Sequence, residues 1–230
     1  MSRPRIAIFA SGSGTTAEAF INESVAGNID ATVGLIICNN PSAGVIQRIS
    51  FLNKKHKLTV EVIVINNKTH PDANAPKRGE QSINAQKKMI EILRAGNFDV
   101  IVLMGYMKKI GPLIIDVFGW RPEFTTPYQS VMLNTHPGLL PETKGLYGIF
   151  VQEHVIQERL KHGGQTLHVV AQDYDEGPVI AEHKVDVDSS DTPESLFEKV
   201  KTAEKKYLPA DVDSFIKNRR EYIETQGAYR

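Results

Sequence analysis

The sequence predicts an α/β fold in which helices cover both faces of a mostly parallel central sheet. The first observation is a strand–turn–helix pattern that occurs twice. The apolar run 5–10 and a glycine turn precede apolar residues at helical spacing, and a second strand, turn and helix follow over 31–52. The second observation is the run 98–104, which is apolar without alternation and is typical of a strand covered on both sides. Alternating strands and helices favour parallel pairing through right-handed crossovers.

The other elements follow from apolar periodicity and from turn residues. The pattern predicts further strands at 60–65, 131–134, 165–171 and 179–187, and further helices at 83–93, after Pro112, at 149–160 and from Pro193. The last two strands form an antiparallel extension toward the C-terminus. We expect Pro209 to end the final helix, which leaves 211–230 as a polar tail. The length predicts a single domain over 1–230 with its core at about 5–210.

Composition and charge exclude several classes of function. Twenty-seven Lys and Arg residues balance 27 Asp and Glu residues, so no global positive field favours nucleic acid as the main partner. Cys38 is the single cysteine, and no Cys/His pair has zinc-site spacing, which predicts a reducing compartment and no metal. The apolar run 6–10 is too short for a secretory or membrane segment. We therefore expect a cytoplasmic protein that binds no membrane.

The glycine turn after the first strand predicts a phosphate site. Residues 12–17 fit the pattern G-x-G-x-x-A of dinucleotide-binding proteins, but the second strand ends in Cys38-Asn39-Asn40 without the acidic residue that a ribose requires. NAD is therefore disfavoured. Backbone N–H groups at the start of the helix, with nearby hydroxyls, make a site for one phosphate. A tight turn whose hydroxyls cap the helix explains the same residues.

Three polar side chains from two segments suggest catalysis. Asn134 and His136 stand two residues apart at a strand end and share a face in extended chain. Asp175 lies in a loop between two strands, where a carboxylate can approach the imidazole. Taken alone, such a pair at a strand end is more often structural than catalytic.

Together, the motifs resemble the folate-dependent formyltransferases, most closely those of purine synthesis. The resemblance covers about residues 5–210 and rests on four segments in the right order and spacing: Ser11-Gly12-Ser13-Gly14, Gly105-Tyr106-Met107-Lys108, Asn134-Thr135-His136-Pro137 with Leu139-Leu140-Pro141, and Asp175-Glu176-Gly177-Pro178-Val179-Ile180. It implies a Rossmann-like formyltransferase fold and a transferase that moves a formyl group from 10-formyltetrahydrofolate, as co-substrate, to the amine of glycinamide ribonucleotide. It also implies that Asn134, His136 and Asp175 are the catalytic residues.

The resemblance also assigns the binding residues. It implies that the ribonucleotide meets Ser11, Gly12, Ser13, Gly14, Thr15, Thr16, Arg78, Lys201 and Glu204. It implies that the folate meets Tyr106, Met107, Lys108, Val170, Ala171, Gln172 and Asp173. His168 matches a family histidine that we expect beside the catalytic groups. Each of three residues also has a purely structural interpretation. Lys201 can form an exposed ion pair with Glu204, Met107 can pack in the core, and His168 can be an ordinary core residue.

The chain departs from the family pattern at four places. Thr15-Thr16 replace the usual Ser-Asn. Lys108 replaces an arginine, whose guanidinium donates paired hydrogen bonds that a lysine does not. Glu176 stands where a glycine is usual, so we expect an altered folate loop. The segment 142–148 lacks a histidine that many relatives carry. These changes indicate either a divergent branch or a different amine acceptor.

Several related functions remain open at this point. A 10-formyltetrahydrofolate hydrolase uses the same three residues with water as acceptor, but we expect it to carry a preceding regulatory domain. Formylation of methionyl-tRNA requires a further basic domain. Sugar-nucleotide formyltransferases differ in acceptor loops that a sequence does not resolve, and a binding module without turnover has no need for all three polar residues. The partners are expected to be small molecules, and the protein a monomer or homodimer.

Overall fold

The computed structural model describes residues 3–74 and 76–227, which form one seven-stranded mixed sheet flanked by helices. The strands are β1 (Arg5–Ala10), β2 (Thr32–Cys38), β3 (Glu61–Val64), β4 (Val100–Leu103), β5 (Met132–His136), β6 (His162–Val169) and β7 (Val179–Asp186). The helices are α1 (Thr15–Ala26), α2 (Gly44–His56), α3 (Ile83–Gly96), α4 (Pro112–Phe118), α5 (Ile149–Gln157) and α6 (Pro193–Gly227). A short 3₁₀ turn lies at Pro127–Gln129.

The strand order is β3-β2-β1-β4-β5-β6-β7. The pairs among β1 to β5 are parallel, and β6 and β7 add to that sheet in antiparallel pairs. The predicted mostly parallel sheet with an antiparallel extension is therefore confirmed. Register places Asn134 opposite His168 and His136 opposite Thr166, so two polar positions of β5 face two of β6.

Helices cover both faces of the sheet, which explains why its central strands are apolar throughout. On one face, α1, α2 and α6 pack over side chains such as Ile8, Ile36 and Val102. On the other face, α3 and α4 pack over Phe9 and Ile101. Burial on both faces is the reason that the predicted run at 98–104 shows no alternation.

The chain reverses its direction of travel across the sheet between β1 and β4. After β1 it moves outward through β2 and β3, and it then returns to place β4 on the other side of β1. Loops after the two strands separate at such a point and leave a crevice at their carboxyl ends. The glycine turn at 12–14 follows β1 and Gly105 follows β4, so the fold brings these two predicted segments together.

The expected break of the last helix at Pro209 is wrong. Helix α6 is continuous from Pro193 to Gly227 and contains Pro209. Proline removes one helical hydrogen bond and costs about 3 kcal/mol in a helix interior. Leu208, Val212 and Phe215 are buried against the sheet, and each large apolar side chain stabilises by about 1.5–3 kcal/mol. The segment expected as a polar tail is thus helical to Gly227, and its first turns, with Val212, Phe215 and Ile216, pack in the core.

Among the described residues, no helix combines the length and the apolar character that a membrane span requires.

Candidate active site

A cavity of about 840 Å³ opens at the carboxyl ends of β1, β4 and β5. It is lined by residues from every segment that the sequence singled out. From the predicted set it collects Gly12, Ser13, Gly14, Thr15, Thr16, Arg78, Tyr106, Met107, Lys108, Asn134, His136, His168, Val170, Ala171, Gln172, Asp173, Asp175, Lys201 and Glu204. Of the predicted site residues, only Ser11 does not line it.

The glycine turn, Gly12 to Gly14, lines one end of the cavity. The carbonyl of Gly12 accepts from the Val45 N–H at 3.1 Å, and the carbonyl of Ser13 accepts from Arg48 Nε at 2.9 Å. These bonds fix the turn from behind. No described residue accepts from the N–H groups of Gly12, Ser13 and Gly14. Donors of this kind at a helix N-terminus suit an anion.

Gly14 has to be glycine. Its φ of 75° is left-handed, and a Cβ there would lie 2.6 Å from Cγ2 of Val45. The alternative in which hydroxyls cap α1 is wrong, because Gly14 is the N-cap and no side chain caps the helix. Instead, the Thr16 hydroxyl donates to Glu204 across the cavity at 3.0 Å.

Ser11 is buried behind the turn instead of facing the cavity. Its hydroxyl donates to Asn39 Oδ1 and accepts from the Met107 N–H at 2.8 Å. The Ser11 N–H donates to the Gly105 carbonyl at 3.1 Å. Ser11 therefore joins the loops after β1 and β4, and the prediction that it meets the ribonucleotide directly is corrected.

Asn134, His136 and Asp175 converge at the floor of the cavity. Asp175 Oδ1 lies 3.7 Å from Nδ1 of His136 and 3.4 Å from Nε2 of His168. Nδ2 of Asn134 lies 2.9 Å from the same His168 nitrogen. The two imidazoles and the carboxylate are almost fully buried, while Asn134 is half-buried. Strand β5, strand β6 and the loop after β6 thus form one continuous polar cluster.

His168 is part of this cluster, so its alternative role as an isolated core residue is wrong. Its Nδ1 lies 3.0 Å from the Val169 carbonyl, which can only accept, so Nδ1 carries a proton. In the neutral ring, Nε2 then accepts an N–H of Asn134. This bond orients the Asn134 amide with its nitrogen toward His168.

Burial and charge move the pKa values of the two acid–base groups. Burial lowers the pKa of His136 below its ordinary value, and the neighbouring Asp175 carboxylate opposes that effect. Burial acts to raise the pKa of Asp175, but contact with the two imidazoles and the Gly145 N–H outweighs it, so this pKa lies below its ordinary value. The arrangement therefore keeps Asp175 ionised beside an imidazole that gives up its proton readily.

The loop that carries Asp175 is held by its neighbours on both sides. Asp175 itself has a φ of 57°, and its Oδ2 accepts the Gly145 N–H at 2.9 Å. A Cβ on Gly177 would lie 1.7 Å from the Val169 carbonyl oxygen, so the loop approaches β6 too closely for any side chain there. Glu176 forms an exposed ion pair with Lys144. Position 176 has no left-handed backbone, so it does not require a glycine.

Glu204 and Lys201 lie on α6 at the same end as the glycine turn, but they do not pair with each other. The Glu204 carboxylate accepts from the hydroxyls of Thr16 at 3.0 Å and Thr135 at 2.8 Å. Lys201 pairs with Glu198 at 2.9 Å and lies 4.1 Å above the ring of Phe197. The alternative of an exposed Lys201–Glu204 ion pair is therefore wrong. Burial raises the pKa of Glu204, and the two threonine hydroxyls oppose the rise.

The opposite wall consists of the segment after β4 and the loop after β6. Tyr106 accepts from Gln81 Nε2 at 3.1 Å and packs edge-on against Phe9. Met107 is 57% exposed, so its alternative role in core packing is wrong. Lys108 and Arg78 line the cavity and make no hydrogen bond or ion pair with any described residue. This wall offers apolar surface and two cations that are available to an anionic ligand.

Three contacts in the site were not anticipated from the sequence. Thr143 lies against His136, the Gly145 N–H binds Asp175, and Thr135 binds Glu204. Two of them come from the segment 142–148, which the sequence marked as atypical without indicating a contact. Within residues 3–74 and 76–227, no group of three or more His, Cys, Asp and Glu side chains is arranged to hold a metal ion.

Comparison with known proteins agrees with this geometry. The family model described as formyl transferase matches residues 4–212. Phosphoribosylglycinamide formyltransferase of Bacillus subtilis is 29% identical over 92% of this chain and 94% of its own length. The chloroplastic protein of the same name from Arabidopsis thaliana is 27% identical over 96% of this chain and 68% of its own.

Solved structures give the same result. The crystal structure of phosphoribosylglycinamide formyltransferase from Bacillus halodurans superposes with a TM-score of 0.75 at 31% identity, over 92% of this chain and 95% of that one. Glycinamide ribonucleotide transformylase 1 from Symbiobacterium toebii superposes with a TM-score of 0.76 at 25% identity, over 94% and 89%.

Proposed function

Because the chain belongs to the formyl transferase family, we propose that it transfers the formyl group of 10-formyltetrahydrofolate to the primary amine of glycinamide ribonucleotide, a step of purine synthesis. The observation that carries the proposal is the convergence of Asn134, His136 and Asp175 on one cavity that is also lined by the glycine turn at 12–14. The names of the relatives support the choice of this acceptor.

The polar cluster suits the attack of an amine on a formyl carbon. The new C–N bond turns the formyl oxygen into an oxyanion, and an N–H donor of Asn134 and the positive charge of the protonated His136 imidazole stabilise it. Removing one such donor typically costs about a hundredfold to a thousandfold in rate. When the bond from the formyl carbon to the folate nitrogen breaks, the oxyanion collapses to the product amide.

The reaction also moves one proton from the attacking amine to the folate nitrogen that leaves. Asp175 is ionised and lies 3.7 Å from His136, so it stabilises the imidazolium and relays this proton. His168 accepts an N–H of Asn134 through its Nε2 and thereby orients that amide. No group is oxidised or reduced, and the mechanism uses neither a metal nor NAD.

The two substrates bind at opposite ends of the cavity. The N–H groups of residues 12–14 bind the phosphate, with Lys201 nearby and Glu204 accepting from ribose hydroxyls. The folate lies against Tyr106, Met107, Val170 and Ala171 and along residues 172–173. Lys108 binds the carboxylates of the folate, and Arg78 binds the phosphate of the ribonucleotide. We further propose small-molecule partners only, a cytoplasmic location and a monomer or homodimer.

An absorbance assay of tetrahydrofolate release tests the proposal. Protein and 10-formyltetrahydrofolate should release tetrahydrofolate only after glycinamide ribonucleotide is added. Release without an amine would identify a hydrolase, release with an amino-sugar nucleotide would identify another acceptor, and no release with any acceptor would indicate a binding module. His136→Ala is the matched inactive control. It should abolish turnover while ribonucleotide binding, measured by calorimetry, stays within about threefold of wild type, because the phosphate site lies elsewhere.

A further inference from the structure

The Thr143 hydroxyl lies between the His136 imidazole and a main-chain carbonyl, a contact that the proposed reaction does not use. Thr143 Oγ1 lies 2.9 Å from Nε2 of His136 and 2.9 Å from the carbonyl oxygen of Leu139. Thr143 is 1% exposed and His136 is 3% exposed. Water therefore has little access to either group, and their hydrogen bonds are made within the protein.

The direction of both hydrogen bonds follows from the chemistry of the three atoms. A carbonyl oxygen only accepts, and a hydroxyl carries one proton. Two oxygens 2.9 Å apart repel each other unless a proton lies between them, so the Thr143 hydroxyl donates to Leu139. Oγ1 then has only lone pairs to offer to His136. The ring must donate through an Nε2–H group.

We propose that Thr143 is a positioning residue that holds His136 as the Nε2–H tautomer. The proton on Nε2 stays in place in both charge states of the ring, so the proton that is gained and lost is the one on Nδ1. Nδ1 is the nitrogen that faces Asp175 Oδ1 at 3.7 Å. Thr143 thus directs the reactive side of the imidazole toward the carboxylate. The inference rests on the proposed function only for the catalytic use of His136.

The local structure holds the hydroxyl in place. The Thr143 N–H also donates to the Leu139 carbonyl at 3.1 Å, so a short turn fixes the position of the side chain. A Cβ on Gly138 would lie 2.1 Å from Thr143 Oγ1, so the absence of a side chain at Gly138 leaves the room that the hydroxyl occupies. The contact is therefore determined by backbone on two sides.

The tautomer can be measured without any catalytic activity. In ¹⁵N-labelled ligand-free protein, long-range ¹H–¹⁵N spectra distinguish a protonated ring nitrogen from an unprotonated one, and His136→Ala identifies the signals. Wild-type His136 should show a protonated Nε2 and an unprotonated Nδ1 at a pH above its pKa. Thr143→Val keeps the shape but removes the acceptor, and the Nδ1–H tautomer should then gain population. Thr143→Ser should restore the wild-type pattern.

Kinetics provide an independent measurement. Thr143→Val should lower kcat about tenfold or more, as is typical when a partner that orients a functional imidazole is lost. The KM for the ribonucleotide should change less than about twofold, and Thr143→Ser should recover most of kcat. The titratable groups that face His136 are Asp175 and His168, so the pH dependence of kcat is compared in variants that keep both.

Three results would overturn the inference: an Nδ1–H tautomer in the wild type, an unchanged spectrum in Thr143→Val, or equal loss in the Val and Ser variants. Circular dichroism shows whether a variant is folded, and the wild-type spectrum decides the question even where Thr143→Val does not fold. A wild type with the expected tautomer and no formyl transfer would contradict the proposed function while supporting the inference.

Discussion

Replacing Gly177 with alanine should damage both stability and catalysis. The new Cβ would lie 1.7 Å from the Val169 carbonyl oxygen, whereas such contacts essentially never fall below 3.0 Å, so one side must move by more than 1 Å. Val169 belongs to a buried strand, so the loop that carries Asp175 is the part that gives way. That shift also weakens the bond of the Val169 N–H to the Pro178 carbonyl, now 2.9 Å long.

The sizes of the two effects follow from these contacts. Overpacking costs about 1–3 kcal/mol and the lost hydrogen bond about 1 kcal/mol, so we expect Gly177→Ala to lower the free energy of unfolding by about 2–4 kcal/mol. Displacement of Asp175 by about 1 Å should lower kcat about a hundredfold. Urea denaturation and the tetrahydrofolate-release assay measure the two quantities.

Gly12→Ala is the matched control. Gly12 has no neighbour within 4 Å of the position of a Cβ and has no left-handed backbone, so its free energy of unfolding should stay within about 0.5 kcal/mol of wild type. The added methyl group would occupy the proposed phosphate end and raise the KM for the ribonucleotide. If Gly177→Ala has the same stability and kcat as the wild type, the close approach of Gly177 to Val169 does not fix the loop.

Three further predictions follow from the site and the core. The Asp175 carboxylate raises the pKa of His136, so Asp175→Asn should lower that pKa. Because the protonated ring is the proposed active form, the fall of kcat with rising pH should occur at a lower pH than in wild type. An unchanged pH profile of kcat would contradict this. Glu204→Gln should raise the KM for the ribonucleotide about tenfold. The folded-state pKa of Glu204 is raised, so the free energy of unfolding falls as pH rises from its unfolded to its folded pKa, and the variant should lose that fall in pH-dependent urea denaturation. Phe215→Ala should cost about 3–5 kcal/mol in urea denaturation, and a loss below about 1 kcal/mol would show that this part of α6 is not core.

Much of the fold could be predicted because its main determinants are local. Strand β1 begins and ends where its apolar run does, and the Pro193 start of α6 follows from its sequence signal. The exception at Pro209 has a physical reason. The prediction considered only the backbone hydrogen bond that proline removes from a helix. Leu208, Val212 and Phe215 recur at helical spacing, and the burial of their side chains keeps the helix continuous.

The candidate site could be assembled from motifs, but its internal contacts could not. Glu204 meets Thr16 and Thr135 across 188 and 69 residues of chain, and nothing in the sequence specifies that pairing. Likewise, the Gly145 N–H is a backbone donor that every residue except proline possesses, so it has no signature. The role of Ser11 differs from its prediction because burial, which depends on tertiary structure, turns its hydroxyl away from the cavity.

Helix α6 connects substrate recognition to the folding of the C-terminal part of the chain. Its 35 residues extend about 50 Å, with Lys201 and Glu204 near one end and Val212 and Phe215 farther along. A substitution that loosens the packing of Val212 or Phe215 will therefore also change the position of Glu204 at the proposed ribonucleotide end of the cavity. Affinity for the acceptor should decline together with thermal resistance in such variants, even though the altered residues never touch a ligand.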